Sequence, residues 1–275
     1  MTAAREGYSS SYAVELLFDG DPGVGPEEWV TLLSQRSDPG TLSLGPPGVR
    51  IRYDSEDDSL AGILIELPPR SVTPARIETS LRQSWSWAEA RFVTAQCTQS
   101  ITVRDVQVSE LDHRARLEAF QLRLRSILEV VPCSALRWIE TQQLVDPAAF
   151  MAAFDHEGAC TALGAINIRL FRLAELEDGS PLPEPEIIMD TLGLSAIGLD
   201  DLQCHFRGLT PDAVGHVLYR LALHLFERGT VIQGGDEVEG LHPGEYWKCE
   251  MEDALVEPKR VVIDLNPGEQ WSGSR

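Results

Sequence analysis

The segment DLQCHFRGLTPDAVGHVLYRLALHLFERGTVIQGGDEVEG, residues 201–240, holds a strand, a helix and a turn in succession. DLQCHF alternates apolar and polar residues with period two, as a strand does. Pro211 then suits the first turn of a helix, behind Thr210. Val214, Val217, Leu218, Leu221 and Leu225 fall on one helical face, and Gly229 suits the position after the last turn. GTVIQGGDEVEG turns the chain back as a strand or hairpin. The same grammar occurs near the start of the chain. Thr73-Pro74 opens a helix predicted over VTPARIETSLRQSWSWAEARFVTAQC, with Ile77, Leu81, Trp85 and Ala88 on one face and Ser84 to Ser86 as a candidate break.

Working outward, YAVELLFD, GVRIRYD, LAGILIELP and SITVRDVQV read as strands, and Pro26 with Glu27 and Glu28 opens a short helix after the first of them. SEDDS, residues 55–59, reads as a polar hairpin turn. SELDHRARLEAFQLRLRSILEVV has one apolar stripe and reads as a linking helix, with Ser109 and Asp112 at capping-box spacing. Arg114, Arg116, Arg123 and Arg125 are expected on its solvated flank. ALRWIETQQLV, DPAAFMAAF, AINIRLFRL and IIMDTLGL continue the pattern, with a Pro-rich acidic loop expected over about 174–186. Both halves therefore read as β-α-β-β-α-β. The expected fold is α+β: two ferredoxin-like units joined by a helix, antiparallel sheets with helices on one side. The expected boundaries are 8–108, 109–132 for the linking helix, and 133–266.

Composition narrows the functional classes. The chain has 275 residues, is 43% hydrophobic, and carries 43 Asp plus Glu against 23 Lys plus Arg, a formal net charge of −20. Such a surface repels nucleic acid and anionic lipid and attracts basic partners, although acidity by itself also serves solubility. Cys97, Cys133, Cys160, Cys204 and Cys249 form no CxxC pair, so neither a zinc ribbon nor a thioredoxin motif is expected. MTAAREGYSS lacks the apolar core of a signal peptide, and no apolar run approaches a membrane span. A cytoplasmic location is expected.

Gly234-Gly235-Asp236-Glu237 is similar to most of the signature loop of the enzymes that make cyclic di-GMP. That resemblance implies a metal-binding Asp upstream and an aromatic after the acids. An amphipathic helix precedes the loop here, and Val238 follows it, so the simpler reading is a hairpin turning at Gly235-Asp236 or Gly234-Gly235. His216 and His224 stand eight apart on one helix, too far to share an ion comfortably. Cys204 and His205, adjacent in a strand, point to opposite faces. There is no G-x-S-x-G elbow, P-loop or G-x-G-x-x-G fingerprint. No catalytic set, metal site or cofactor is expected from these residues.

MDTLGL, DLQCHF, VIQGGDEVEG, YWKCE and ALVEPKRVVIDL together resemble the bacterial domain of unknown function 4261 family, from about residue 187 onward. The resemblance implies a setting like that of immunity proteins of bacterial toxin systems. It supplies no catalytic residues, and it puts Gly234-Gly235-Asp236-Glu237 in a family hairpin. The expectation is a non-enzymatic protein-binding module, an immunity protein that neutralises a contact-delivered or type VI secreted toxin by occlusion. Its partner would be a basic protein, contacted through Asp190, Asp201, Asp236, Glu237, Glu239 and Trp247. The alternative is an enzyme or small-ligand protein using a cleft between the halves, with His205, Cys249 and Asp190 near it.

Overall fold

A computed structural model describes residues 12–35, 41–52, 62–106, 112–157, 160–175 and 181–274. The chain divides into two units, Ser11–Ala165 and Ile166–Arg275. Both are α+β. The hairpin turn expected at 55–59 and the cap expected at Ser109 lie outside the described residues.

The first unit is built on a seven-stranded sheet in the order β2-β3-β4-β5-β1-β6-β7. These strands are β1 (Ala13–Phe18), β2 (Thr41–Gly45), β3 (Gly48–Arg52), β4 (Gly62–Ser71), β5 (Gln99–Val106), β6 (Ala135–Trp138) and β7 (Gln143–Val145). Every described pairing is antiparallel. A ferredoxin-like order would put β1 between β5 and β4. Here β5 lies between β1 and β4, and β1 gives its other edge to β6. β1 is buried at all its positions, so it needs a neighbour on each edge, and residues 135–138 supply the second. The expected boundary at 133 therefore moves to 165/166: β6, β7 and the helix after them belong to the first sheet's unit. Periodicity specifies which residues face inward, but it does not specify which strand edges meet.

Five helices accompany this sheet among the described residues: α1 (Pro26–Ser34), α2 (Pro74–Gln83), α3 (Ala90–Thr94), α4 (His113–Val130) and α5 (Pro147–Glu157). The helix predicted through 72–97 breaks after Gln83. Ser84 Oγ donates to Ser80 O at 2.6 Å and accepts Leu144 N–H at 2.6 Å, and Trp85 is left exposed. The linking helix α4 starts one turn later than expected. Asp112 is itself the N-cap and accepts the Arg114 and Ala115 N–H groups, an arrangement worth about 1 kcal/mol. Two of its arginines are buried, contrary to expectation. Arg116 bonds Asp105 at 2.8 Å, and Arg123 is 7% exposed. Glu15, buried on β1, pairs with Arg76 and Arg137.

Glu140 makes this unit pH-sensitive. Its Oε2 accepts Ala13 N–H at 2.8 Å, and burial pushes the carboxyl up to about 7 despite that bond and nearby Arg104, with Asp105 adding to the rise. An unfolded Glu ionises near pH 4.3, about the value in model peptides. Between that pH and about 7 the native chain holds the proton that the unfolded chain has lost, so stability falls as pH rises through this window. In urea melts between pH 5 and 8, the wild type is expected to lose roughly 1–3 kcal/mol more than Glu140→Gln. Parallel pH profiles for the two proteins would refute this.

The second unit has a six-stranded sheet in the order β11-β12-β13-β10-β9-β8. Its strands are β8 (Asn167–Glu175), β9 (Pro181–Leu192), β10 (Asp201–Phe206), β11 (Glu237–Glu239), β12 (Tyr246–Asp253) and β13 (Val261–Asn266). Two antiparallel meanders, β8-β9-β10 and β11-β12-β13, are joined where β10 runs parallel to β13. The helix α6 (Pro211–Arg228) connects them. Residues expected as a loop at 174–186 are largely strand: β8 runs to Glu175 and β9 begins at Pro181. No helix among the described residues is long and apolar enough to cross a membrane.

Candidate functional site

The alternation of side chains gives the second sheet two different faces. Met189, Leu202, Cys204, Ile263, Leu265 and Trp247 are buried and share one face. α6 packs there through Val214, Leu218, Leu221 and Leu225, with Gly215 close to the Met189 methyl. The register places a polar row on the other face: Arg169 opposite Asp190, Asp190 opposite Gln203, Gln203 beside Asp264, and Asp264 opposite Glu250. All but Glu250 are at least 97% buried.

That row is the centre of an ion-pair network. Arg169 holds Asp190 with two bonds, of 2.9 Å from Nε and 2.5 Å from Nη2, and gives Nη1 to Glu257 O. Arg260 bridges Asp190 at 2.7 Å and Asp201 at 3.0 Å, and also reaches Thr191 O and Pro258 O. Burial opposes charge on Arg260, but Asp201 and Asp190 together hold its guanidinium more basic than usual. Asp201 accepts from Thr191 Oγ1, Ser195 Oγ and Leu194 N–H as well. Gln203 donates to Asp264 and accepts Leu255 N–H. The bonds pin the 193–200 and 254–260 loops onto the sheet. Asp190 and Asp201 are each 0% exposed, so the sequence expectation that they touch a partner is corrected: their lone pairs serve buried arginines and loop N–H groups.

His205 sits on this same face, one step along β10. Its Nε2 lies 2.8 Å from Glu186 Oε2. Burial alone would raise the Glu186 carboxyl, but bonds from Ser274 N–H and Oγ and the nearness of His205 hold it below the usual range. Gly273 lies against the imidazole so closely that a Cβ there would be 2.3 Å from Nε2. The carboxylate, not the imidazole, receives the Ser274 hydroxyl, so the trio lacks the nucleophile-to-base contact of acyl transfer. Cys249 pairs opposite Leu265, on the α6 face, and the sheet itself separates it from His205. Burial pushes the Cys249 thiol up to about 11, with Asp236 and Asp264 adding to the effect, and pushes Cys204 well above its ordinary value. Both remain thiols at neutral pH, the form that is neither nucleophile nor metal ligand. The expected association of His205 with Cys249 is therefore not formed.

The Gly-Gly-Asp-Glu stretch leads into a strand and does not cap a hairpin. Asp236 N–H bonds Gln233 O at 3.1 Å, and the Asp236 carboxylate accepts Gln233 N–H at 2.8 Å. Gly235 has φ +95°, the conformation that the third residue of such a turn requires. The true β11–β12 hairpin loop is 240–245, closed by Gly240 N–H to Glu245 O. Trp247, 0% exposed, anchors it from inside. Its Nε1 donates to Glu245 at 2.6 Å, and Gly240 packs so tightly that a Cβ would fall 2.4 Å from that nitrogen. Trp247 thus props the hairpin and offers no surface to a partner, a second correction to the expected contact set. Asp236, Glu237 and Glu239 are exposed, as is Tyr246 at 61%. Arg220 on α6 pairs with Glu239 at 3.3 Å and bonds the Glu239 and Gly240 carbonyls. Between α6 and this hairpin opens a cavity of about 510 Å³, lined by Leu221, His224, Val231, Ile232 and Val238 together with Arg220 and the acids. Among the described residues no group of three or more His, Cys, Asp or Glu is placed to hold a metal ion.

A family match takes in the hairpin and most of the network. Residues 190–266 match the family described as Domain of unknown function (DUF4261). No curated protein and no solved structure matches the chain. The DUF4261 match begins at Asp190 and ends at Asn266, so it takes in Asp201, Gln203, Arg260, Asp264, α6 and the hairpin. It leaves outside Arg169, Glu186 and Ser274, which complete the buried clusters. Within the matched segment, Arg260 and Tyr246 escaped the sequence reading. Parity could have found Tyr246: in YWKCE the apolar Trp247 and Cys249 alternate with Tyr246, Lys248 and Glu250.

Proposed function

We propose that this chain is a non-enzymatic protein-binding module that covers a basic partner by occlusion. The observation that carries this reading is the exposure of Asp236, Glu237 and Glu239 together on a hairpin held by Trp247, Gly240 and Arg220. A net charge of −20 adds long-range attraction for a cationic surface. The narrower form of the proposal is an immunity protein, acting in the cytoplasm on a bacterial toxin delivered by contact or type VI secretion. A second reading, a small-ligand site, is favoured by the cavity between α6 and the hairpin, lined by Arg220, His224, Asp236, Glu237 and Glu239.

The test is capture with the tagged full chain from source cells, at low and moderate salt, beside the triple variant Asp236→Lys, Glu237→Lys, Glu239→Lys. One stoichiometric basic protein is expected with the wild type. The triple variant should bind it roughly tenfold more weakly or worse, with a flattened salt dependence, as reversal of steering charges does. Unchanged affinity and salt dependence in the variant would remove the hairpin from the interface. A co-purifying metabolite in place of a protein would favour the cavity.

A further inference from the structure

The register of β11 and β12 gathers a particular set of side chains on the face opposite to that of Val238 and Trp247, with Arg220 of α6 reaching round the edge strand to Glu239. Val238 stands opposite Trp247, turned toward the buried side. Glu237 stands opposite Lys248 and Glu239 opposite Tyr246, on the other face, and Glu250 follows Lys248 two residues on. All five are exposed. The face thus carries three carboxylates, one ammonium and, at its end, a phenol ring with 61% of its surface in water. A tyrosine so exposed contributes little to the unit's own core. Aromatic side chains in such positions are enriched at binding hot spots.

We propose that this sheet face is a docking surface for arginine side chains of a basic protein, with Tyr246 as the stacking platform and Glu237 and Glu250 as the charge partners. The proposal rests on the protein-binding reading above and names the chemistry that the partner presents. Charge selects the occupant: the face is acidic, and so is the whole chain, with 43 acidic against 23 basic residues, which disfavours a second copy. The ring selects arginine over lysine. A guanidinium is planar and weakly hydrated, so it stacks on an aromatic face and still bonds a neighbouring carboxylate, whereas an ammonium stays hydrated. Two cations oppose this docking: Lys248, two residues from the ring along β12, and Arg220, which already pairs with the Glu239 carboxylate opposite the ring.

The probes are nona-arginine and nona-lysine peptides, titrated calorimetrically into the full chain at two salt concentrations. The arginine peptide is expected to bind about two- to fivefold more tightly than the lysine peptide, the increment of one exposed cation–π contact. Tyr246→Ala should erase that preference, Tyr246→Phe should keep it, and Lys248→Ala should tighten both peptides. Circular dichroism of each variant checks that the fold is intact. Failure of the arginine peptide to bind, a preference that survives Tyr246→Ala, or concentration-dependent self-association through this face would each overturn the proposal. If capture still yields a basic partner that depends on Asp236, Glu237 and Glu239, then only the arginine–Tyr246 assignment has failed. If no such partner exists, the protein-binding reading has failed with it.

Discussion

Asp190→Ala is expected to destabilise the Ile166–Arg275 unit by about 3–5 kcal/mol, the usual cost of removing one partner from a buried ion pair. Asp190 is 0% exposed and accepts from both Arg169 and Arg260. Its loss removes the carboxylate that both buried guanidiniums bond, while Arg260 keeps Asp201. Arg169 would keep the Glu257 carbonyl, which satisfies one N–H but not the charge. A domain of this kind has about 5–15 kcal/mol of total stability, so the change is large enough to unfold the unit in part. Urea unfolding gives the magnitude, and hydrogen exchange on β9 and β10 localises it. Arg169→Met combined with Asp190→Leu should recover part of the loss, because a hydrophobic pair of similar volume avoids the desolvation cost. A loss below about 1 kcal/mol for Asp190→Ala would mean that the network is solvated and contributes little.

Trp247→Ala and Tyr246→Ala should behave as opposites although the residues are adjacent. Trp247 fills the space beneath Gly240 and is wholly buried, so truncation opens a cavity and frees Glu245; the expected cost is about 3–5 kcal/mol. Tyr246 stands on the open face, and its truncation should stay within about 1 kcal/mol, the span of strand preference. Thermal melts would separate the two. Equal losses would show that Tyr246 is also a packing residue and would remove the reason for treating its exposure as functional.

The adjacency explains what could be read from the chain. Elements defined by local chemistry were legible: α6 from its apolar stripe and Pro211, and β10 from its alternation; the glycines at 234–235 marked a turn, but the hairpin loop expected there lies at 240–245. Trp247 was misassigned as a contact because its chemistry suited an interface, although its parity with Cys249 already put it inside. The buried network was not legible. An aspartate has the same letter whether it meets water or a guanidinium, and Asp190 finds its partners 21 and 70 residues away. The order of strands was hidden for a similar reason. β1 takes β6 as its neighbour across 13–138, and nothing in either strand's pattern names the other. The candidate break at Ser84 to Ser86 is where α2 ends, but the bond from Leu144 N–H to the Ser84 hydroxyl involves a distant partner.

The position of β11 has a consequence for solubility. It is the outermost strand of its sheet, and such a strand is a template on which other chains can polymerise through backbone pairing. Glutamates at both ends of β11 and the Arg220 guanidinium on the Glu239 carbonyl obstruct that template. The charges that would draw in a cationic protein therefore also guard against fibrous aggregation. A variant stripped of them to abolish binding exposes a sticky edge, so charge reversal, which keeps the guard, is the cleaner change than neutralisation.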